Sequence, residues 1–302
     1  MKFLLTSGGL TNKSIANALI ALAGKPARKT TIALIPTAAN VEKGDKGWLI
    51  NDLVNLKKQG FKCIDIVDIS ALPKSMWLPR LKTANVLFFS GGNTFHLMHW
   101  LKKSGLAKLL PKLLKTRVYA GISAGSIVAG KDLSLSSINI LYYEKNLKMK
   151  RDEKALGFFD FHFRPHLNSP HFPRIRPAVL AKMAKIVPDP TYALDDQCAL
   201  KIVGKKIEIV GGGKYLVFNR PPQFPARKRV GWSQYPNLPD LDTMGMWNDN
   251  TGGVITASTC ATTTSSCRPN TAGMYSMTAC SPMYSGNCSR SPSTTPPYIS
   301  NK

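Results

Sequence analysis

The first 219 residues alternate between short apolar runs and longer amphipathic segments, which is typical of an α/β layer fold. Residues 12–23 predict a helix capped by Asn12, with its apolar side chains on one face. The same reasoning predicts a helix at 48–58 and strands at 2–5, 31–35, 63–69 and 85–89. Most of these strands are apolar throughout, so both of their faces should be covered. A mostly parallel sheet flanked by helices is therefore expected.

After residue 118 the predicted strands become short and closely spaced. They lie at 158–164, 192–195, 199–203, 207–210 and 215–218. Breaks at Gly204-Lys205 and at 211–213 predict antiparallel hairpins that close the edge of the sheet. The predicted fold class is thus α/β, with antiparallel strands at the C-terminal edge.

Residues 220–302 have a different composition, first rich in Pro and then in Ser and Thr, which supply 20 of residues 251–300. This segment has too few apolar residues to offset its chain entropy, so we expect it to be disordered. The predicted domains are a catalytic domain at 1–219 and a tail at 220–302.

The net charge of +24 would attract nucleic acid or acidic substrates. The basic residues are scattered, however, and no nucleic-acid-binding motif accompanies them, so nucleic acid is not an expected partner. Neither a signal peptide nor an apolar run long enough to span a membrane is visible, and the six cysteines match no zinc spacing. A cytoplasmic protein with reduced thiols and no membrane partner is predicted.

The strongest chemical signal is the Gly-x-Ser-x-Gly pattern at 121–125, which lies between a predicted strand and a small apolar segment. This pattern is typical of a nucleophile elbow, in which a sharp turn presents Ser123 and a helix N-terminus supplies free N–H groups. Side chains at Gly121 or Gly125 would collide with the neighbouring strand and helix. Ser123 is the predicted nucleophile.

A second Gly-rich turn, at 90–94, also follows a strand, so it should reach the same edge of a parallel sheet. The N–H groups of Gly91 and Gly92 would complete an oxyanion hole with the N–H of Ala124. The turn lacks the features of a nucleotide-binding loop, and a serine mechanism requires no cofactor.

Five histidines are available as the base that Ser123 needs. His166 is favoured because it follows a predicted strand in a loop, and His171 is the reserve. His162, His166 and His171 share no helix face, so no metal site is predicted. The acid that orients the base is predicted to be Asp196, with Asp132 and Asp195 as alternatives.

These motifs resemble the peptidase E family of serine peptidases, which includes cyanophycinase and is similar in fold to class I glutamine amidotransferases. The resemblance covers about residues 1–218 and rests on the following segments: Ser90-Gly91-Gly92-Asn93-Thr94-Phe95, Gly121-Ile122-Ser123-Ala124-Gly125, Pro165-His166, Leu194-Asp195-Asp196 and the turn at 211–214. It implies Ser123 as nucleophile and His166 as base, with Gly92 and Ala124 near the oxyanion. Asp196 replaces a glutamate often found at its position, and the family's acid matches either Asp196 or Asp132.

The same resemblance implies a short peptide as substrate, with an N-terminal aspartate as one option. An aspartate needs a cation, and the predicted substrate-binding residues are Asn93, Arg164, Arg174 and Arg176. The alternative function is a catalytically silent binding protein on the same scaffold. Both a monomer and a homodimer are compatible with the sequence.

Overall fold

The structure, a computed structural model, describes residues 1–137 and 154–219. Ten strands lie in this part of the chain: β1 Lys2–Thr6, β2 Thr31–Ile35, β3 Cys63–Ile66, β4 Val86–Phe89, β5 Val118–Ile122, β6 His162–Arg164, β7 Thr191–Leu194, β8 Cys198–Val203, β9 Lys206–Gly211 and β10 Tyr215–Phe218. The helices are α1 Lys13–Ala23, α2 Thr37–Asn40, α3 Gly47–Lys58, α4 Lys74–Thr83, α5 Thr94–Lys103, α6 Leu106–Leu113, α7 Ala124–Ile127, α8 Ser134–Ser137 and α9 Pro177–Ile186.

The main sheet has seven strands in the order β3-β2-β4-β5-β1-β8-β9. The pairs from β3 through β1 are parallel, whereas β8 and β9 are antiparallel to their neighbours. The predicted fold class, a mostly parallel sheet flanked by helices with antiparallel strands at its C-terminal edge, is therefore confirmed.

Both faces of the inner strands β1, β2, β4 and β5 are buried, which explains their continuous apolar runs, whereas the edge strands β3 and β9 are partly exposed. Alternate residues of one strand enter different cores: Phe3 and Leu5 pack on one face of β1, and Leu4 packs on the other. The predicted helix cap is also present, because Asn12 Oδ1 accepts a hydrogen bond of 3.0 Å from the backbone N–H of Ile15.

Three predictions about strands and hairpins are wrong in detail. The strand predicted at 158–164 is confined to β6, since the rings of Phe158 and Phe159 instead pack against Phe3 at 5.2 and 4.7 Å between centroids. The strand predicted at 63–69 ends at Ile66. The break at 211–213 does not form a hairpin of β9 with β10. Instead, β10 pairs with β7 in a second sheet of order β10-β7-β6.

The second sheet adds a small core of its own, formed with α9. Its central strand, β7, is parallel to β6 and antiparallel to β10. No helix in the described ranges is long and apolar enough to cross a membrane. The domain boundary at 219 stays a prediction, and the tail at 220–302 lies outside the described residues.

Candidate active site

Ser123 lies between the end of β5 and the start of α7, at the carboxyl edge of the parallel strands. Its backbone has φ 46° and ψ −105°, a conformation that L side chains rarely adopt. A Cβ on Gly125 would lie 2.3 Å from the Phe89 carbonyl oxygen, and one on Gly121 would lie 2.5 Å from the Gly125 carbonyl carbon. Only glycine fits at these two positions, so the turn can close tightly around Ser123.

The structure brings Ser123, His166 and Asp196 together in a chain of hydrogen bonds. His166 Nε2 lies 2.8 Å from Ser123 Oγ, and Nδ1 lies 2.7 Å from Asp196 Oδ1. Because an ionised carboxylate only accepts hydrogen bonds, Nδ1–H donates to Asp196 and Nε2 is left to accept from the Ser123 hydroxyl. The three groups therefore have the relative geometry of a nucleophile, a base and an orienting acid.

Asp196 is held in place by further hydroxyl groups. Ser7, directly after β1, donates to Asp196 Oδ1 at 2.6 Å, and its oxygen accepts from the backbone N–H of His166 at 2.8 Å. Burial raises the pKa of the Asp196 carboxyl, but hydrogen bonds from His166, Ser7 and Ser169 and the attraction of His166 outweigh burial, so its pKa is lowered overall. Asp196 is thus kept ionised beside the imidazole.

The loop after β6 fixes the position of the His166 ring. His166 has a φ of 64°, and its ring stacks on Phe172 with centroids 4.1 Å apart and planes 4° apart. Arg176 Nη1 donates to the carbonyl oxygens of Ser169, Phe172 and Ile175 at 3.0–3.1 Å. The guanidinium therefore ties this loop together, and the loop carries the imidazole.

The second Gly-rich turn lies beside the nucleophile, as expected for neighbouring parallel strands. A Cβ on Gly91 would be 3.5 Å from Ser123 Cβ. Gly92 has a φ of 123°, and a Cβ there would lie 2.3 Å from the carbonyl oxygen of Ala38. The N–H of Ala124 donates to no acceptor within the described part of the chain, so it is available to an oxyanion.

The two alternative acids lie elsewhere. Asp132 Oδ1 accepts from the Ser134 N–H at 2.8 Å and lies 3.7 Å from His162 Nδ1. Asp195 Oδ1 accepts from the Gln197 N–H at 2.9 Å. Neither carboxylate has a hydrogen bond to His166, which pairs with Asp196 instead.

One further group of ionisable residues lies at the end of β6 opposite to His166. Donor atoms of Asp132, His162 and Asp189 lie within 4.8 Å of one another. Lys131 Nζ is 2.5 Å from Asp189 Oδ1, so this group already contains a cation of the protein. Burial lowers the pKa of His162, against the opposing effect of the two carboxylates. The prediction that the protein needs no metal stays a prediction.

The residues predicted to bind substrate occupy different environments. Asn93 is buried, and its Oδ1 caps α5 by accepting from the His96 N–H at 2.9 Å. Arg164 is fully buried in β6, whereas Arg174 is exposed. Nη1 of Arg176 donates hydrogen bonds to the loop that carries His166, so this arginine helps to position that loop.

Three residues beside the triad were not found from the sequence: Ser7, Phe172 and Asp52. Ser7 follows β1 directly, so the argument that parallel strands end at one edge applies to it as well. Asp52 lies on α3, and its Oδ1 would be 3.0 Å from a Cβ on Gly9. Nothing in the local sequence distinguishes Asp52 or Phe172 from ordinary helix and loop residues.

The sequence of the chain matches that of known peptidases. The profile of peptidase family S51 matches residues 3–210. An uncharacterized peptidase of Pasteurella multocida is 28% identical over 186 residues, which cover 60% of this chain and 85% of the relative. Peptidase E of Shewanella oneidensis is 30% identical over 144 residues, which cover 46% of this chain and 58% of the relative. The chain belongs to peptidase family S51, a family of serine peptidases.

Two crystal structures share the fold. One is of a Listeria monocytogenes protein described as a candidate peptidase E; it superposes with a TM-score of 0.56 at 22% identity, covering 69% of this chain and 96% of that one. The other is a peptidase from an acI-B1 Actinobacterium, with a TM-score of 0.53 at 19% identity, covering 72% of this chain and 89% of that one. At these identities the superpositions establish the fold alone.

Proposed function

We propose that this protein hydrolyses short peptides through an acyl-enzyme formed on Ser123. The observation that carries the proposal is the unbroken chain of hydrogen bonds from Ser123 Oγ through His166 to Asp196, with contacts of 2.8 and 2.7 Å. Membership of a peptidase family supports it independently.

In the first half of the reaction, His166 Nε2 takes the proton of the Ser123 hydroxyl as Oγ attacks the peptide carbonyl carbon. The negative charge passes to the carbonyl oxygen, where the N–H groups of Ala124 and Gly92 stabilise it. When the tetrahedral intermediate collapses, the C–N bond breaks and the imidazolium gives its proton to the leaving amine. The product is an ester of Ser123.

In the second half, a water molecule gives its proton to His166 Nε2 and attacks the ester carbonyl. The C–O bond to Ser123 breaks, and the imidazolium returns a proton to Oγ. Asp196 keeps the imidazole in the correct tautomer throughout and stabilises its charged form. This role agrees with the lowered pKa of Asp196. Burial raises that pKa, but the hydrogen bonds and the attraction of His166 lower it by more.

A fluorophosphonate probe tests the nucleophile without knowledge of the substrate. The wild-type protein should be labelled covalently at Ser123, whereas Ser123→Ala should not be labelled. Ser126→Ala is a matched control, since Ser126 is fully buried and donates to the Thr6 carbonyl oxygen at 2.8 Å. Labelling of Ser123→Ala equal to that of wild type would contradict the proposal by showing that another residue is the nucleophile. No labelling of wild type would also contradict it and would favour a silent binding protein.

The preference for an N-terminal aspartate stays a prediction, as do the cytoplasmic location and the choice between monomer and homodimer. Hydrolysis of Asp-X, Glu-X and neutral dipeptides measures the preference directly. Equal kcat/KM values for the three sets would contradict an aspartate preference while leaving the serine mechanism intact.

A further inference from the structure

A second carboxyl group lies beside the triad, on the far side of the turn that follows β1. Two consecutive glycines form this turn: a Cβ on Gly8 would lie 2.9 Å from Asp196 Cβ, and one on Gly9 would lie 3.0 Å from Asp52 Oδ1. Ile122 directly precedes the nucleophile, and its Cδ1 atom would lie 3.2 Å from the same Cβ on Gly9. Asp52 therefore lies at the edge of the sheet where Ser123 emerges.

The carboxylate of Asp52 has no hydrogen-bond or ion-pair partner among the described residues. Asp65 pairs with an arginine, Asp189 with a lysine, and Asp68 and Asp196 accept from several hydroxyl or amide groups. An unpaired carboxylate in a part-buried position is costly. The chain has 41 Lys and Arg residues, yet none of those in the described ranges pairs with Asp52.

Burial, together with the negative charge of Asp196, raises the pKa of Asp52 to about 7. Both causes disfavour the charged form in the free protein, and both would be offset by a cation. A ligand with a positive charge is therefore the group that this position favours most strongly.

We propose that Asp52 binds a primary ammonium group of the peptide substrate and so determines specificity. Three N–H donors of an ammonium suit a single carboxylate, and the ammonium would lie close to the carbonyl that Ser123 attacks. The group is supplied either by the N-terminus of a short peptide or by a lysine side chain. The inference rests on the proposed function, because the cation arrives on the substrate of Ser123.

The pairing has a pH dependence that can be separated from that of catalysis. Only ionised Asp52 binds the ammonium, and Asp196 is the one described ionisable group that acts on its pKa. The ratio of affinities for an amine and for its acetylated counterpart should therefore fall as the pH is lowered below about 7.

The experiment measures how well peptides slow fluorophosphonate labelling, a readout that needs no turnover. Alanyl-alanine is compared with N-acetyl-alanyl-alanine, and N-acetyl-lysine amide with N-acetyl-norleucine amide. Wild type should bind one ammonium-bearing member of these pairs about 10- to 100-fold more tightly than its neutral counterpart. The pair that shows the preference identifies the source of the ammonium.

The variant Asp52→Asn preserves shape and removes the charge, so it should lose most of this preference. Asp160→Asn is the matched control, because Asp160 is exposed and precedes β6, whereas His166 follows that strand. A preference that is unchanged in Asp52→Asn, or absent from wild type, would overturn the inference.

Labelling in the absence of peptide distinguishes a failure of the inference about Asp52 from a failure of the proposed function. The probe carries no ammonium, so its reaction with wild type in the absence of peptide reports on Ser123 alone. If wild type is labelled and shows no preference, the serine mechanism stands and the role of Asp52 falls. If wild type is not labelled, the proposed function fails, and the inference fails with it.

Discussion

Replacing Asp52 by Asn should make the protein more stable, by an amount that grows with pH. The wild-type carboxyl has its pKa raised by burial and by Asp196 from 3.8 to about 7. The folded chain therefore holds this proton over a pH range in which the unfolded chain has released it. The stability contributed by the group is fully present below pH 3.8 and is lost as the pH rises through about 7.

The size of this stabilisation follows from the difference between the pKa values of Asp52 in the unfolded and the folded chain. Each pH unit between 3.8 and about 7 costs about 1.4 kcal/mol of unfolding free energy. The loss is about 1.5 kcal/mol at pH 5 and about 4 kcal/mol at pH 8. Because Asn has no charge, the gain from Asp52→Asn should be about 2.5 kcal/mol larger at pH 8 than at pH 5.

Urea denaturation of wild type and variant at pH 5, 6, 7 and 8 measures this difference, provided that the slope with denaturant is the same for both. Asp160→Asn, the exposed control, should change stability by less than about 0.5 kcal/mol. A gain in unfolding free energy from Asp52→Asn that is equal at pH 5 and pH 8 would refute the reasoning. It would show that the pKa of Asp52 is the same in the folded and the unfolded chain.

Three further changes test the rest of the site. Asp196→Asn should slow fluorophosphonate labelling about 1000-fold because the imidazole loses its orienting partner, whereas Asp132→Asn should leave the rate unchanged. Ser7→Ala should slow labelling about 10-fold by removing one hydrogen bond to a charged group, and it should lower the free energy of unfolding by about 1 to 3 kcal/mol because the His166 N–H loses its acceptor. Gly125→Ala should cost about 3 kcal/mol in urea denaturation because its Cβ meets a carbonyl oxygen at 2.3 Å; Gly212→Ala, with open space around it, is the control.

Each of these expectations has a contrary result. Equal labelling rates for Asp132→Asn and Asp196→Asn would show that the hydrogen bond to the imidazole does not decide reactivity. A Ser7→Ala variant that labels at the wild-type rate would remove that hydroxyl from the set of positioning groups. A Gly125→Ala variant as stable as Gly212→Ala would mean that the elbow tolerates a side chain.

The elbow was predictable from the sequence because its constraint is local. Gly121 and Gly125 flank Ser123 by two residues each, and the short contacts that exclude a Cβ arise within the same turn and the adjacent strand. The covered faces of the parallel strands were predictable for a similar reason, since a strand buried on both sides has an apolar residue at nearly every position.

The identity of the acid depended on the second sheet, which the sequence did not reveal. Asp132, Asp195 and Asp196 all follow predicted elements, and no local pattern says which carboxylate meets His166. Next to the pairing of β10 with β7, Asp195 accepts from the Lys214 N–H, and the following residue, Asp196, contacts the imidazole. Such a choice depends on contacts between residues far apart in the chain.

Asp52 was missed because only its environment in the folded protein distinguishes it from the other acidic residues. In the sequence it is one acid among 17 in an ordinary amphipathic helix. Its significance comes from a part-buried carboxyl with no cation beside it among residues 1–137 and 154–219, and that property exists only once the turn at Gly8 and Gly9 has folded against α3.

The nucleophile and its base come from different sheets and are made at different times. Ser123 is synthesised 43 residues before His166, which is itself 30 residues before Asp196. A growing chain that has folded β1 through β5 displays the hydroxyl with nothing to activate it. On the proposed mechanism, the chain would therefore have no activity until the small second sheet forms and supplies His166.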